Sequence, residues 1–393
     1  LTVDSGQLIV IQQPGDRSEE IVNTLMGQYI IAFLILVRYR EMGLEAVRRF
    51  IGVPHSDKKR YIFLKSPFDK GDLGGLKTKE QKMRVLIMGG TRFIGVYLTK
   101  ILVGQGHEVV LFNRGNKPAP VEGIQQIKGD RQDPSQLKEK LSRETFDVIF
   151  DNNGRQLRDT QPLAEIFQNR VQHFIYVSSA GVYLKSDQMP HGEGDAVDPN
   201  SRHKGKYETE TYLESAGLPW TSIRPTYIYG PQNYNDLEAW FFDRLVRDRP
   251  LPIPGNGCHL TQLGHVADLA AAMAAILGNE KAMGQIYNIS DSRYVSFDGL
   301  ARLCAAATGK SVDEVELVHY DPKQFNFGKR KAFPMRVQHF FADVNKAMTQ
   351  LNWKPEFDLL SGLKDSFEND YLASGRDQAE VDFSLDEEIL GSR

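Results

Sequence analysis

A chain of 393 residues with 48 Lys and Arg against 51 Asp and Glu carries a formal net charge of −3. It is no polycation, so any nucleic-acid contact must come from a local basic patch. A hydrophobic content of 41% is ordinary for a soluble globular protein, and the length suffices for two domains with a sizeable core.

Residues 1–82 differ in character from the rest of the chain. Their longest apolar run, "YIIAFLILV" (29–37), falls short of the roughly 20 residues that span a bilayer, so no membrane contact is expected. Asp4, Asp16, Glu19 and Glu20 precede it, unlike a basic signal peptide or an acid-poor transit peptide. A helical pattern continues through "REMGLEAVRRFIGV", and "KSPFDKGDLGGLKTKEQK" reads as a linker. The chain opens on Leu1, whereas Met83 stands just before the first strand-like run. We expect an upstream segment of unassigned function joined to a complete domain that starts at Met83.

From Met83 onward, near-continuous apolar runs alternate with helical segments. The strand candidates are "RVLIM" (84–88), "EVVLF" (108–112), "IQQIKGD" (124–130), "FDVIFD" (146–151), "HFIYVSS" (173–179) and "WTSIRP" (220–225). Such alternation predicts an α/β fold, a doubly wound parallel sheet of Rossmann type covered on both faces. A helix from Ile94, with Leu98, Ile101 and Leu102 on its apolar stripe, should stop at Gly104 and Gly106. Further on, "DRPLPIPGNG" (248–257) reads as a loop or edge strand, 265–277 as a helix, "QIYNIS" as a strand, and 296–309 as a helix capped by Ser296. Residues 343–371 read as helix, Pro turn, helix, and the acidic tail 372–393 as loosely held. The expected division is 83–225 plus 262–295 for the nucleotide-binding domain and 226–261 plus 296–371 for a smaller C-terminal α/β domain. Cys258 and Cys304 lack metal-ligand spacing and read as buried thiols in a reducing compartment.

The stretch "MGGTRFIG" runs from a strand through a Gly-rich turn into a helix, whose N-terminus attracts a pyrophosphate. Gly89 permits the tight turn and Gly95 close helix–strand packing, with Gly90, Phe93 and Ile94 completing the cradle. Arg92 stands where a middle glycine normally lets phosphates approach the backbone. It either blocks that approach or replaces it with a cation–phosphate contact. At the end of the second strand, Asn113 and Arg114 replace the acid that would bind a ribose 2′-hydroxyl, which favours NADP over NAD; a solvated Arg114 is the alternative. Asp130 and Arg131, at the next strand end, are candidate neighbours of the adenine.

The segments "GGTRFIG", "YVSSAGVY", "SIRPTYIYGP", "HVADLA" and "NKAMTQLNWKPEFDLLSGL" resemble the extended short-chain dehydrogenase/reductase superfamily, the sugar-nucleotide epimerases and dehydratases. That chemistry needs a Ser or Thr, a Tyr acid/base and a Lys four residues later that lowers its pKa. Ser179 matches the serine and Lys206 the lysine, but the tyrosine position falls on Arg202, whose pKa is too high for that role. Reading Tyr207 as the tyrosine puts Thr211 at the lysine position. Dehydrogenase or epimerase activity is therefore not expected; an NADP-dependent reductase or epimerase with an incomplete triad is the alternative.

More narrowly, "SRHKGKYETE", "PWTSIRPTYIYGPQNYN", "WFFDRL", "QLGHVADLA" and "VHYDPKQFNFGKRKAFPMRVQHFFADVNKA" resemble the b-type chloroplast stem-loop-binding protein family of plastids and cyanobacteria, from Met83 to about Leu390. The resemblance implies binding of stem-loop or ribosomal RNA, endoribonuclease activity, and association with ribosomal or transcription machinery. It also implies a chloroplast-stroma location in a plastid-bearing organism, or a cytoplasmic one in a cyanobacterium. A homo- or hetero-oligomer is expected.

Two basic patches are candidates for RNA contact. One is 327–341, where Lys329, Arg330, Lys331, Arg336 and His339 interleave with Phe327, Phe333, Phe340 and Phe341. Its aromatics either stack on unpaired bases or belong to the core. The other is Arg202, His203, Lys204 and Lys206. A third cluster, Arg244, Arg247 and Arg249, reads as complementing a helix dipole. Cleavage would need a base, an acid and charge stabilisation or a divalent metal. His203, Lys206 and Ser179 are the candidates; Asp151 before "NNG" is a weak metal signal, and no metal ligand is assigned.

Overall fold

The computed structural model describes residues 82–391 together with the strands β1 (Thr2–Asp4) and β2 (Gln7–Ile9). The apolar run at 29–37 and the helical and linker readings beyond it lie outside the described residues. The chain divides into two compact units, 1–77 and 78–393. In the first, β1 and β2 pair antiparallel, Thr2 opposite Ile9.

In the second unit the apolar runs become strands. In chain order come β3 (Arg84–Met88), α1 (Ile94–Gly104), β4 (Glu108–Asn113), β5 (Gln125–Lys128), α2 (Pro134–Leu141), β6 (Val148–Asp151), α3 (Leu157–Phe167) and β7 (His173–Val177). Then follow α4 (Lys204–Ser215), β8 (Trp220–Pro225), β9 (Tyr227–Tyr229), α5 (Glu238–Leu245), β10 (Leu251–Pro254), β11 (Leu260–Thr261), β12 (Leu263–His265), α6 (Val266–Ile276) and β13 (Gln285–Ile289). The chain ends through β14 (Val295–Ser296), α7 (Phe297–Ala307), β15 (Leu317–Tyr320), α8 (Asn345–Gln350), α9 (Leu359–Ser366) and α10 (Ser384–Leu390).

Seven strands form one parallel sheet in the order β13-β8-β7-β6-β3-β4-β5. This is the doubly wound fold expected, with its topological switch between β3 and β6. The crevice outside the carboxyl ends of those strands is where such sheets bind ligands.

Strand alternation builds two cores. Val85, Ile87, Val109, Leu111, Val148 and Phe150 pack on one face with Leu98, Leu102, Leu269 and Met273. Their neighbours Leu86, Met88, Val110, Phe112 and Ile149 pack on the other with Leu137, Leu163, Phe167 and Leu213. The period of two explains why both residue sets are apolar. A third core gathers Tyr229, Trp240, Phe241, Phe242, Ile253, Phe297, Leu300, Phe333 and Leu363. The Pro-rich 251–254 segment is a strand after all, paired parallel with β15, and Ser296 caps α7 by accepting from the Gly299 N–H at 3.0 Å.

Two expectations need correction. Cys304 is buried, but Cys258 is exposed, in the turn between β10 and β11. Nor is the tail loosely held. It forms α10, which buries Ile389, and the fully buried Asp386 carboxylate accepts from Arg244 Nη2 at 2.6 Å. Arg244 also donates to the Trp240 carbonyl at 2.7 Å, and its guanidinium lies 3.6 Å from the Trp240 ring centre. Burial pushes the Asp386 pKa up and the Arg244 pKa down, so the pair is held by contact with each other rather than by water.

Replacing Asp386 by Ala leaves Arg244 buried and unpaired, a loss of about 3–5 kcal/mol. Glu388→Ala removes only an exposed pair with Arg330 at 3.7 Å and should cost under about 1 kcal/mol. Urea unfolding of both variants checks the contrast.

Candidate functional site

The glycine turn opens at the carboxyl end of β3. Gly89 and Gly90 have φ of +105° and +88°, in the region that side chains rarely adopt. A Cβ on Gly95 would sit 2.7 Å from Gly90 Cα, so α1 rests directly on the turn. Phe93, the buried residue before α1, holds φ of +41°, an uncommon conformation for an aromatic that the surrounding packing must maintain. Arg92 projects outward: its guanidinium lies 4.4 Å from the Tyr234 ring centre, and Tyr234 also meets Phe93 edge-on.

All ten residues expected to hold a cofactor line one cavity of about 580 Å³: Gly89, Gly90, Arg92, Phe93, Ile94, Gly95, Asn113, Arg114, Asp130 and Arg131. The sequence reading missed Lys117, Asn152, Asn153, Arg155 and Tyr234, which come from loops with no motif of their own. Arg92, Arg114, Lys117, Arg131 and Arg155 face the cavity against Asp130 and Asp159, so its field is positive. Asn113 is a brace: its side chain donates to the Gly89 carbonyl at 3.2 Å and accepts from the Gly115 N–H at 2.8 Å. Arg114 is exposed beside it.

The cavity floor is organised by Asp151, fully buried at the end of β6. It accepts from Arg131 Nη1 and Nη2 at 2.5 and 3.0 Å, from Thr160 Oγ1 at 2.7 Å and from the Gly154 N–H at 3.0 Å. Burial alone would raise its pKa; Arg131, Thr160 and Gly154 outweigh that and carry it below the ordinary 3.8. The weak metal signal at Asp151 is thereby corrected, since its oxygens are committed to protein donors. Arg131 is likewise a structural partner more than a free contact for adenine: it also donates to Asn153 Oδ1 and, at 2.5 Å, to the Asp159 carbonyl.

The degenerate triad lies on the β7 side of the crevice. Ser179 caps a short 3-10 turn, its Oγ accepting from the Gly181 N–H at 3.0 Å. Lys206 Nζ donates to the carbonyls of Val177 at 2.6 Å and Gly154 at 3.1 Å, and the Gly154 carbonyl also accepts from Tyr176 Oη at 3.0 Å. Burial lowers the Lys206 pKa to about 8 even with Asp151 and Glu210 nearby. Tyr207 points outward, 38% exposed, so the register that would make it the catalytic tyrosine fails. Arg202, at the expected tyrosine position, is exposed and donates to His203 Nε2 at 3.0 Å. The His203 pKa falls to about 4, through burial first and then Arg202, Arg336 and Lys206. Neutral and accepting from Arg202, His203 is not a proton donor near neutral pH.

Arg336 joins this group from far along the chain. Its Nη2 donates to the Gly181 carbonyl at 3.3 Å, its backbone N–H to Tyr227 Oη at 2.9 Å, and its guanidinium lies 4.9 Å from the Phe340 ring centre. The two basic patches therefore meet, but only through Arg336. Lys329, Arg330 and Lys331 are exposed elsewhere, Arg330 beside Glu388 and Lys331 lining a cavity with Asp382 and Asp386. Phe333, Phe340 and Phe341 are buried and Phe327 packs on Phe325, so these aromatics serve the core rather than offer stacking faces. Burying a phenyl ring is worth about 2–3 kcal/mol, which outcompetes leaving it in water.

Comparison with known proteins agrees with this architecture. Residues 85–290 match the model of the NAD dependent epimerase/dehydratase family. The chain is 53% identical over 338 residues to the chloroplast stem-loop binding protein of 41 kDa b of Arabidopsis thaliana, covering 82% of this chain and 88% of that one. A 2-alkyl-3-oxoalkanoate reductase of Stenotrophomonas maltophilia is 25% identical over 58% of this chain and 76% of its own. The UDP-glucose 4-epimerase of Thermotoga maritima superposes with a TM-score of 0.63 at 22% identity, covering 75% of this chain and all of that one, which shows the shared fold. The chain belongs to the NAD dependent epimerase/dehydratase family and, within it, to the branch of the b-type chloroplast stem-loop binding proteins.

Gly95→Ala should destabilise the fold, because the added methyl meets backbone that cannot yield. Thermal unfolding of parent and variant checks it. For Asp151, a depressed pKa means stability present above the ordinary value of 3.8 and lost as pH falls through the folded one. Asp151→Asn should therefore be less stable than the parent at pH 7, with the gap closing on acidification below about pH 4 in denaturant titrations.

Proposed function

We propose that this chain binds RNA, through the cationic cluster at the N-terminus of α4. The observation that carries the reading is a charge placed against local preference. Arg202, Lys204 and Lys206 stand at the helix end that is already positive, and the first turn holds no acid. Arg336 adds a fourth cation, and among the described residues none of the four lies within ion-pair distance of a carboxylate. Cations that raise one another's energy persist where an anion relieves them, and phosphates do so. The 53% identical relative is named for binding stem-loops and is chloroplastic, which supports RNA as the source of the phosphates and a plastid location. Association with ribosomal or transcription machinery and an oligomeric state belong to the same reading.

The glycine-turn cavity suits the adenosine and phosphate part of NADP: Gly89, Gly90 and Arg92 would hold the phosphates and Arg114 the phosphate on the ribose. A nicotinamide cofactor would supply hydride transfer, for which this chain lacks the phenol acid/base. Strand cleavage, implied by the family, would fall to Lys206, the one group of the cluster that titrates near neutrality, at about 8. Lys206→Ala should then abolish cleavage of a stem-loop while leaving much of its affinity; persistent cleavage removes that role.

Titration of a labelled stem-loop RNA at several salt concentrations tests the main reading. The slope of log affinity against log salt should fall by about 0.7–0.9 for each of Arg202→Ala and Arg336→Ala. Their NADPH affinity should be unchanged. Salt-insensitive binding, or parent-like binding by both variants, overturns it. Arg114→Ala should weaken NADPH binding and leave NADH binding alone, read by fluorescence titration.

A further inference from the structure

The loop 152–155 carries Arg155 between the glycine-turn cavity and the cationic cluster. Arg155 is exposed and lines the cavity, and its backbone N–H donates to Asp159 Oδ2 at 3.0 Å, which fixes the loop at the start of α3. On its other side the loop lies against the first turn of α4. A methyl on Gly205, between Lys204 and Lys206, would meet the Arg155 carbonyl at 3.0 Å and Gln156 Cα at 3.1 Å. Lys206 Nζ donates to the Gly154 carbonyl of the same loop at 3.1 Å.

The cations of the two places act on each other. Burial lowers the Lys206 pKa, Asp151 and Glu210 oppose the shift, and Arg131 and Arg155 from the cavity wall add to it. Burial likewise lowers the His203 pKa, and Arg202, Arg336 and Lys206 add to that shift. Cations therefore continue from Arg336 and Arg202 through Lys206 and Arg155 to the cavity. There Arg131 is paired with Asp151, whereas among the described residues Arg92, Arg114, Lys117 and Arg155 have no carboxylate within ion-pair distance. The cavity, about 580 Å³, has the size of a small-molecule site and cannot admit a duplex.

We infer that the glycine-turn cavity takes one unpaired nucleotide of the bound RNA, its phosphate chain passing Arg155 to reach Arg202, so that RNA and a nicotinamide dinucleotide exclude each other. The inference rests on the RNA-binding reading above and extends it from the cluster into the cavity. A nucleotide of RNA and the adenosine half of a dinucleotide offer the same pieces, a base, a ribose and a phosphate, to a turn that favours phosphate. Only an unpaired nucleotide enters, since extracting a paired one costs its stacking and pairing. The level of free dinucleotide then sets how much of the chain is open to RNA.

The test titrates the full chain with two labelled RNAs, a hairpin with an unpaired loop and a blunt duplex of the same stem, at several NADPH concentrations. NADPH at about ten times its own Kd should raise the hairpin Kd about tenfold, and the rise should continue in proportion to NADPH. The hairpin should displace NADPH in return, read by the fluorescence of the dinucleotide. Duplex binding, which rests on the cluster alone, should not change. A hairpin affinity indifferent to bound NADPH, a loss that levels off, or an equal loss on the duplex overturns the shared cavity.

Lys117→Ala and Arg155→Ala decide the matter without the dinucleotide, and both residues are exposed, so the fold is kept. Each should weaken hairpin binding several-fold and lower its salt slope by about 0.7, and Lys117→Ala should leave the duplex unchanged. Parent-like hairpin binding by both variants overturns the inference; the cluster still stands if Arg202→Ala and Arg336→Ala lower the slope. Should the parent chain bind neither RNA, the RNA-binding reading fails first and the inference with it.

Discussion

The buried Asp151 carboxylate is the constraint around which the crevice is arranged. A charge at that depth is sustained only by donors that reach it, and they come from three places: Arg131 after β5, Gly154 in the next loop and Thr160 on α3. Fixing Gly154 has a second effect, since its carbonyl accepts from both Tyr176 and Lys206. One carboxylate therefore shapes the floor of the glycine-turn cavity and, one residue removed, anchors the lysine of the cationic cluster. Glycine-turn cavity and cluster share the loop 152–155 as a common wall. Gly205 on α4 packs against that wall so closely that a methyl added to it would lie 3.0 Å from the Arg155 carbonyl.

This arrangement explains how the crevice keeps its shape whatever side chain stands at position 202. The parts that build the crevice are backbone features: two glycines of positive φ, a helix resting on them, and a satisfied carboxylate. None depends on the tyrosine. Exchanging a phenol for Arg202 changes the charge of the site without touching the fold, because the side chain is exposed and its neighbours are loops. Lys206, which in the superfamily would act on that phenol, instead donates to two backbone carbonyls. Function on such a scaffold is decided by the side chains around the crevice, as for other widely used folds.

Much of this was legible in the sequence and some was not, for identifiable reasons. The sheet could be read because β3, β4, β6 and β7 are apolar on both faces, and the glycine-turn residues because strand, turn and helix alone place them in one cavity. The pairing of Asp151 with Arg131 could not, since nothing in "DNNG" tells a ligand from a buried ion pair. Nor could the meeting of Arg202 with Arg336, which depends on Phe340 bridging to Thr261 of β11 and Ala342 to His191. The patch 327–341 is ambiguous as a pattern, because alternating Lys, Arg and Phe describes equally a stacking surface and a loop that anchors itself in a core. Desolvation of Phe333, Phe340 and Phe341 decides for the core. The acidic tail misleads in the same way: its composition suggests solvent, yet a single Arg244 converts Asp386 into a buried anchor.

A chain with net charge of −3 that gathers four cations at one place, with no carboxylate partner for them among the described residues, makes its own specificity. The local field there favours anions, although the chain as a whole carries a small net negative charge. Lys206 is already committed to two backbone carbonyls, so the proposed RNA reading leaves three of these cations for phosphates, and through them the affinity should fall with roughly the second to third power of ionic strength. Electrostatics of that size can position a strand but cannot choose one. On the proposed RNA reading, discrimination then has to come from uncharged contacts beside the cluster, because phosphates are the same whatever the base.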